Sequence, residues 1–172
     1  AYTRATLPRS YWDWGEHIEA NSTGAFPYTP ATNLLFGLNE AILILKEEGL
    51  ENVFARHKRY AEATRLAVQT WGLEVLCENE NDFSNTLTAV LLPDGHNADE
   101  FRSIVLDNFN MSLGNGLSRL AGKVFRIGHL GDFNELMLIA TLGGIEMGLS
   151  KSSVPHQVGG TQAAMQFLKQ NS

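Results

Sequence analysis

The sequence predicts an α+β domain, an antiparallel or mixed sheet with helices on one face. Three observations lead there. From residue 31 the apolar pattern reads ααββαββα, helical periods alternating with short apolar runs. The runs are joined by hairpin-like turns and by a single intervening helix. A chain of 172 residues, 44% apolar and 9% aromatic, fills one core and is too short for two comfortable ones.

Residues 1–30 read as an extended segment, with Pro8, Pro27 and Pro30, the aromatic cluster Tyr11, Trp12 and Trp14, and turn signals at Gly15 and Asn21-Ser22-Thr23-Gly24. Three large rings in four positions are costly to leave in water, so they either cover a core or line a pocket. Residues 31–71 read as two connecting helices. Leu34, Leu35, Leu38, Ala41, Ile42 and Leu45 mark the first, which Gly49 stops. Val53, His57, Tyr60, Ala61, Thr64, Ala67, Val68 and Trp71 share one face of the second, which Gly72 ends.

Residues 72–150 read as the sheet-bearing domain. Strands are expected at 73–77 and 86–92, then a helix capped by Asn97 with Glu100 and striped by Phe101, Ile104, Val105 and Phe109. A short strand at 111–113, a turn at Gly114-Asn115-Gly116 and a strand at 124–127 follow. Asp132 is expected to cap the last main helix, with Glu135 in its first turn. Residues 151–172 read as a tail with a short helix over 161–169. No internal repeat is visible.

The charge balance excludes some functions. With 13 Lys+Arg against 19 Asp+Glu the net charge is −6, which leaves no basic excess for nucleic acid. No apolar run approaches the roughly 18–20 residues of a membrane span. Cys77 is the one cysteine and cannot form an internal disulfide, so a reducing, cytoplasmic location is expected. The chain opens on Ala1 in the manner of mid-protein sequence and reads as part of something longer.

Few residues suggest chemistry on their own. There is no Walker loop, no dinucleotide fingerprint and no Cys/His metal spacing. His57 falls on an apolar helix face, where a structural histidine is the expectation; Cys77 reads as a buried strand residue. Arg126 is the exception, because it interrupts Val124-Phe125 and Ile127 on a core strand. Either it pairs with an internal acid, or its guanidinium fork holds a carboxylate in a cavity.

Three blocks carry a family resemblance. They are Phe26-Pro27-Tyr28-Thr29-Pro30-Ala31-Thr32-Asn33, Glu48-Gly49-Leu50-Glu51-Asn52-Val53-Phe54-Ala55-Arg56-His57, and Ala121-Gly122-Lys123-Val124-Phe125-Arg126-Ile127-Gly128-His129-Leu130-Gly131-Asp132. Together they resemble the class V aminotransferases, in the serine–glyoxylate and alanine–glyoxylate branch. The resemblance implies a fold-type I enzyme, a homodimer that uses pyridoxal phosphate to exchange an amino group between amino acids and 2-oxo acids. It implies that residues 1–30 end the large cofactor domain and that residues 72–150 are the small C-terminal domain. It also implies that Arg126 grips the substrate carboxylate and that Thr29 reaches the cofactor phosphate of the partner subunit. Tyr28 is a second cofactor-binding candidate, since Phe26 stands where some relatives carry a tyrosine. None of Lys46, Lys58, Lys123, Lys151 and Lys169 matches the Schiff-base motif, so this stretch alone is expected to be inactive and to bind the cofactor weakly or not at all. A different class of function, a stand-alone α+β domain that binds a carboxylate metabolite or a partner protein, would use Arg126 without catalysis.

Overall fold

The computed structural model describes residues 4–171, and the chain divides into two units after Glu48. In the first unit the aromatic segment is not extended throughout. Helix α1 runs Trp14–Asn21 because the Asp13 side chain accepts from the Gly15 amide at its N-terminus, with Glu16 in the first turn. That start signal is hidden in the sequence by the bulky rings around it. Helix α2, Thr32–Glu48, buries none of its residues. Leu34, Phe36 and Leu38 are 74%, 76% and 55% exposed, and Leu43 and Ile44 are open as well. Its apolar side chains thus face several directions, spaced by Asn39, Glu40, Lys46 and Glu47, a pattern that belongs to a helix packed on more than one side.

The second unit begins at Gly49, whose φ of +84° starts α3, Leu50–Thr70. Its buried face holds Val53, His57, Tyr60, Ala61, Thr64, Ala67 and Val68, as the spacing predicts. The remaining elements are β1 (Glu74–Val75), β2 (Leu87–Leu91), α4 (Ala98–Phe109), β3 (Gly114–Asn115), β4 (Val124–Gly128), α5 (Glu135–Lys151) and α6 (Gly160–Gln170). The strands form one antiparallel sheet in the order β1-β2-β4-β3. Helices α3 and α4 pack against it, and Phe101 of α4 meets Phe125 of β4 with ring centroids 4.7 Å apart. The α+β expectation is met.

Two local expectations need correction. The edge strand is at Gly114–Asn115, not 111–113; Leu113 turns into the core, and the glycine-rich turn is itself the strand that pairs with β4. Asn134, not Asp132, caps α5, its side chain accepting from the Met137 amide. A tight turn in which the Phe133 amide donates to the Gly131 carbonyl carries the chain past Asp132 before the helix can start. The short helix expected over 161–169 is α6, and its Ala164 and Leu168 are core residues. Among the described residues no helix is long and apolar enough to cross a membrane, and no cluster of His, Cys, Asp and Glu suits a metal ion.

Helix α6 has no side-chain cap of its own. Its open amides are met from α5 by Glu146, which accepts from Gly159 N at 2.5 Å, Thr161 N at 2.9 Å and Thr161 Oγ1 at 2.7 Å. Burial pushes the Glu146 carboxyl up, but these hydrogen bonds, with a smaller contribution from the nearby Trp71 indole, outweigh it and hold the group at about 2. A depressed carboxylate stabilises the fold above its ordinary value of 4.5, and that contribution is lost as pH falls through about 2. Glu146→Gln should therefore cost roughly 1–3 kcal/mol at neutral pH and flatten the dependence of stability on pH below 4.5. Chemical denaturation of both forms at a series of pH values measures the effect; equal curves would remove Glu146 from this role.

Candidate functional site

Strand β4 carries Arg126 between two core residues. Phe125 and Ile127 are fully buried toward the helices, which leaves Arg126 half-buried on the other face of the sheet. In register, Ala89 of β2 lies opposite it on one side and Gly114 of β3 on the other. Both neighbours are minimal, so the long arginine side chain lies between two low walls. A Cβ placed on Gly114 would stand 3.0 Å from Arg126 Cβ, 3.1 Å from Nε and 3.6 Å from Cζ.

Nε of Arg126 is shielded from solvent and has no hydrogen-bond partner. Among the described residues no acid pairs with the guanidinium, so of the two sequence alternatives the internal ion pair is not formed. A shielded donor left unsatisfied costs about 1–3 kcal/mol, which makes this arginine a poor choice for stability; its Nη groups, with no acid beside them among the described residues, are the donors that suit an incoming anion. Cys77 lies just beyond β1 rather than within a strand, half-buried, with Sγ 3.5 Å from the Asn79 carbonyl.

The loop that leaves β4 is pinned from three directions. His129 is fully buried; Thr88 Oγ1 donates to its Nε2 at 2.9 Å, and its Nδ1 donates to the Asn85 carbonyl at 3.2 Å. His57 Nδ1 donates to Val53 O at 2.7 Å, while its Nε2 accepts from the Gly131 amide at 3.2 Å. Arg56 Nη1 reaches the Gly131 and Phe133 carbonyls at 2.9 and 3.2 Å. Both imidazoles thus have acceptor and donor sides already occupied, the arrangement of structural histidines. Only the apolar helix face hinted at this for His57. Nothing in the spacing singled out His129 or Arg56, whose partners are 41 or more residues distant.

The other two candidates belong to the first unit. Thr29 is exposed, and among the described residues nothing engages its hydroxyl. Tyr28 is differently placed, because its hydroxyl donates to Glu16 at 3.1 Å and also contacts Ser10. Its ring lies 5.8 Å from that of Tyr11, beside a cleft of about 220 Å³ lined by Tyr11, Trp12, Trp14 and His17. A phosphate fits the unengaged hydroxyl of Thr29; it does not fit Tyr28 while the Glu16 carboxylate holds the phenol.

No family model matches the chain. Curated proteins do. The serine–glyoxylate aminotransferase of Methylorubrum extorquens is 47% identical over 166 residues, 96% of this chain and 41% of that one. The L-aspartate–glyoxylate aminotransferase of Paracoccus denitrificans is 37% identical over 100% of this chain and 44% of its own. Among solved structures, the ureidoglycine–glyoxylate aminotransferase of Bacillus subtilis superposes with a TM-score of 0.87 at 25% identity, over 98% of this chain and 44% of that one. The chain therefore spans less than half the length of the relatives it matches.

The geometry around His129 has a pH consequence. Burial pushes its imidazole down from 6.5 to about 4, against the opposing pull of the Asn85 carbonyl. The unfolded chain then takes up a proton that the folded chain refuses, so stability is unaffected above 6.5 and falls as pH drops toward 4. The expected slope from this group is at most about 1.4 kcal/mol per pH unit. Urea midpoints between these limits should fall in the wild type and fall less in His129→Asn, which should already be weaker at neutral pH. Parallel slopes in the two would show that His129 is not the group responsible.

Proposed function

This chain belongs to the class V aminotransferases, and on that footing we propose that the protein carrying it moves an amino group from serine or alanine to glyoxylate or pyruvate. The observation that carries the reading is Arg126, a cation on the open sheet face, with Gly114 and Ala89 opposite it and no acid paired with it among the described residues. Amino acid and 2-oxo acid share a carboxylate, and a planar guanidinium fork matches it with two parallel, charge-assisted hydrogen bonds. Holding the carboxylate fixes the α-carbon, so that donor and acceptor present the same bond to the same place in turn. Pyridoxal phosphate, when bound, supplies the electron sink for moving the amino group. Thr29 would hold its phosphate through the hydroxyl. Tyr28 would serve only after releasing Glu16.

We take the working form to be a homodimer in the cytoplasm. The support is α2, which exposes Leu34, Phe36, Leu38 and Leu43 and buries no residue, and the single cysteine. Such a helix also argues against a stand-alone carboxylate-binding domain, which would leave that surface in water.

Substitution of Arg126 in the complete protein tests the proposal. Truncating one partner of a buried charged pair costs roughly 2–5 kcal/mol. Arg126→Ala should accordingly lower kcat/KM by roughly 30- to 4,000-fold, equally for amino donor and oxo acceptor. Arg126→Lys should restore only part, because a point charge cannot reproduce the fork. Cofactor absorbance should survive both changes. Wild-type kcat/KM in Arg126→Ala, or simple unfolding, would return Arg126 to a structural role.

A further inference from the structure

We infer that Gly114 is a positioning residue for Arg126: its missing side chain sets where the guanidinium lies, and with it where the carboxylate is received. The inference rests on the reading of Arg126 as the carboxylate-holding group. Gly114 does not need to be glycine for its backbone, since its φ is not in the left-handed region that favours glycine. It sits in a strand, where glycine is disfavoured for want of a side chain to pack. The reason for it is the neighbour. The Arg126 stem and Nε run across the position its Cβ would take, with atoms at 3.0, 3.1 and 3.6 Å.

The shielded Nε sharpens the point. The guanidinium keeps its place with that donor unpaired, so packing and not hydrogen bonding holds it. Gly114 lies against this Nε edge. The two Nη groups are then the end offered to a carboxylate, the end-on form of the fork. Ala89 supplies the opposite wall in the same register, again with the smallest side chain that a strand carries. A methyl group added at Gly114 must displace Arg126 by a few tenths of an ångström, and misplacements of this order at a substrate-holding group are costly in rate.

The test is a double-mutant cycle on the complete protein with its cofactor, using serine and glyoxylate as probes. Gly114→Ala should lower kcat/KM roughly 10-fold for both, about 1.4 kcal/mol, with Arg126 present. In the Arg126→Ala background the same change should cost less than about twofold, because the group it acts through is gone. Ala89→Val, which crowds Arg126 from β2 and leaves β3 untouched, should behave alike and decides the matter if Gly114→Ala does not fold. An equal cost in both backgrounds would make the glycine a matter of strand packing and overturn the inference. So would wild-type rates in both single variants. If Arg126→Ala alone leaves kcat/KM unchanged, the carboxylate reading itself fails, and the positioning role falls with it.

Discussion

The fold of residues 49–171 depends on the burial of Trp71. It ends α3, it is fully buried, and the chain enters β1 only two residues after the turn at Gly72. Its carbonyl accepts from the Gln157 amide at 2.9 Å, which brings the C-terminal segment back to the same place. Gly160 lets α6 approach: a Cβ there would lie 2.4 Å from the indole nitrogen and 2.7 Å from the Ala67 carbonyl. A helix start, a helix end and a strand are thereby fixed on one ring. Truncating such a ring costs about 3–5 kcal/mol, a large share of a small domain's stability. Glu146 completes the corner by meeting the amides at the start of α6.

The sheet inherits its two-sided character from this packing. One face lies under α3 and α4 and carries Val90, Phe125 and Ile127, all fully buried. Among the described residues of this unit no helix is laid along the other face, and the register brings Leu87, Ala89, Leu91, Val124, Arg126 and Gly114 there. A strand that alternates between a packed core and an open face offers a rigid mount for a charge. The mount is fastened at its far end by His129, His57 and Arg56, all engaged with backbone or with one another's loop. Together they hold the strand that carries Arg126.

How much of this was legible follows from where each signal resides. The helical period of α3 and the Asn97 cap of α4 are local patterns, and both stand where the sequence puts them. Arg126 was legible for a related reason, a charge on a strand of apolar neighbours. What escaped was tertiary. Two residues of edge strand at Gly114–Asn115 have no pattern of their own, and only pairing with β4 makes them a strand. The α6 helix gained its place from a glutamate 13 and 15 residues upstream. The Asp13 cap was present in the sequence but masked, because aromatic density drew the reading toward an irregular segment.

The surroundings of Arg126 also constrain what this strand can decide. A fork that recognises the carboxylate recognises what donor and acceptor have in common. It cannot separate one amino acid from another. Discrimination requires a wall that meets the substrate side chain, and polar walls discriminate far better than apolar ones. Along the open face Arg126 is flanked on its own strand by Gly128 and by Val124, which is buried, and across the sheet by Gly114 and Ala89, with Leu87 beyond. None of these side chains carries a polar group, so if Arg126 holds the carboxylate as proposed, this face of β4 offers little with which to tell one donor side chain from another.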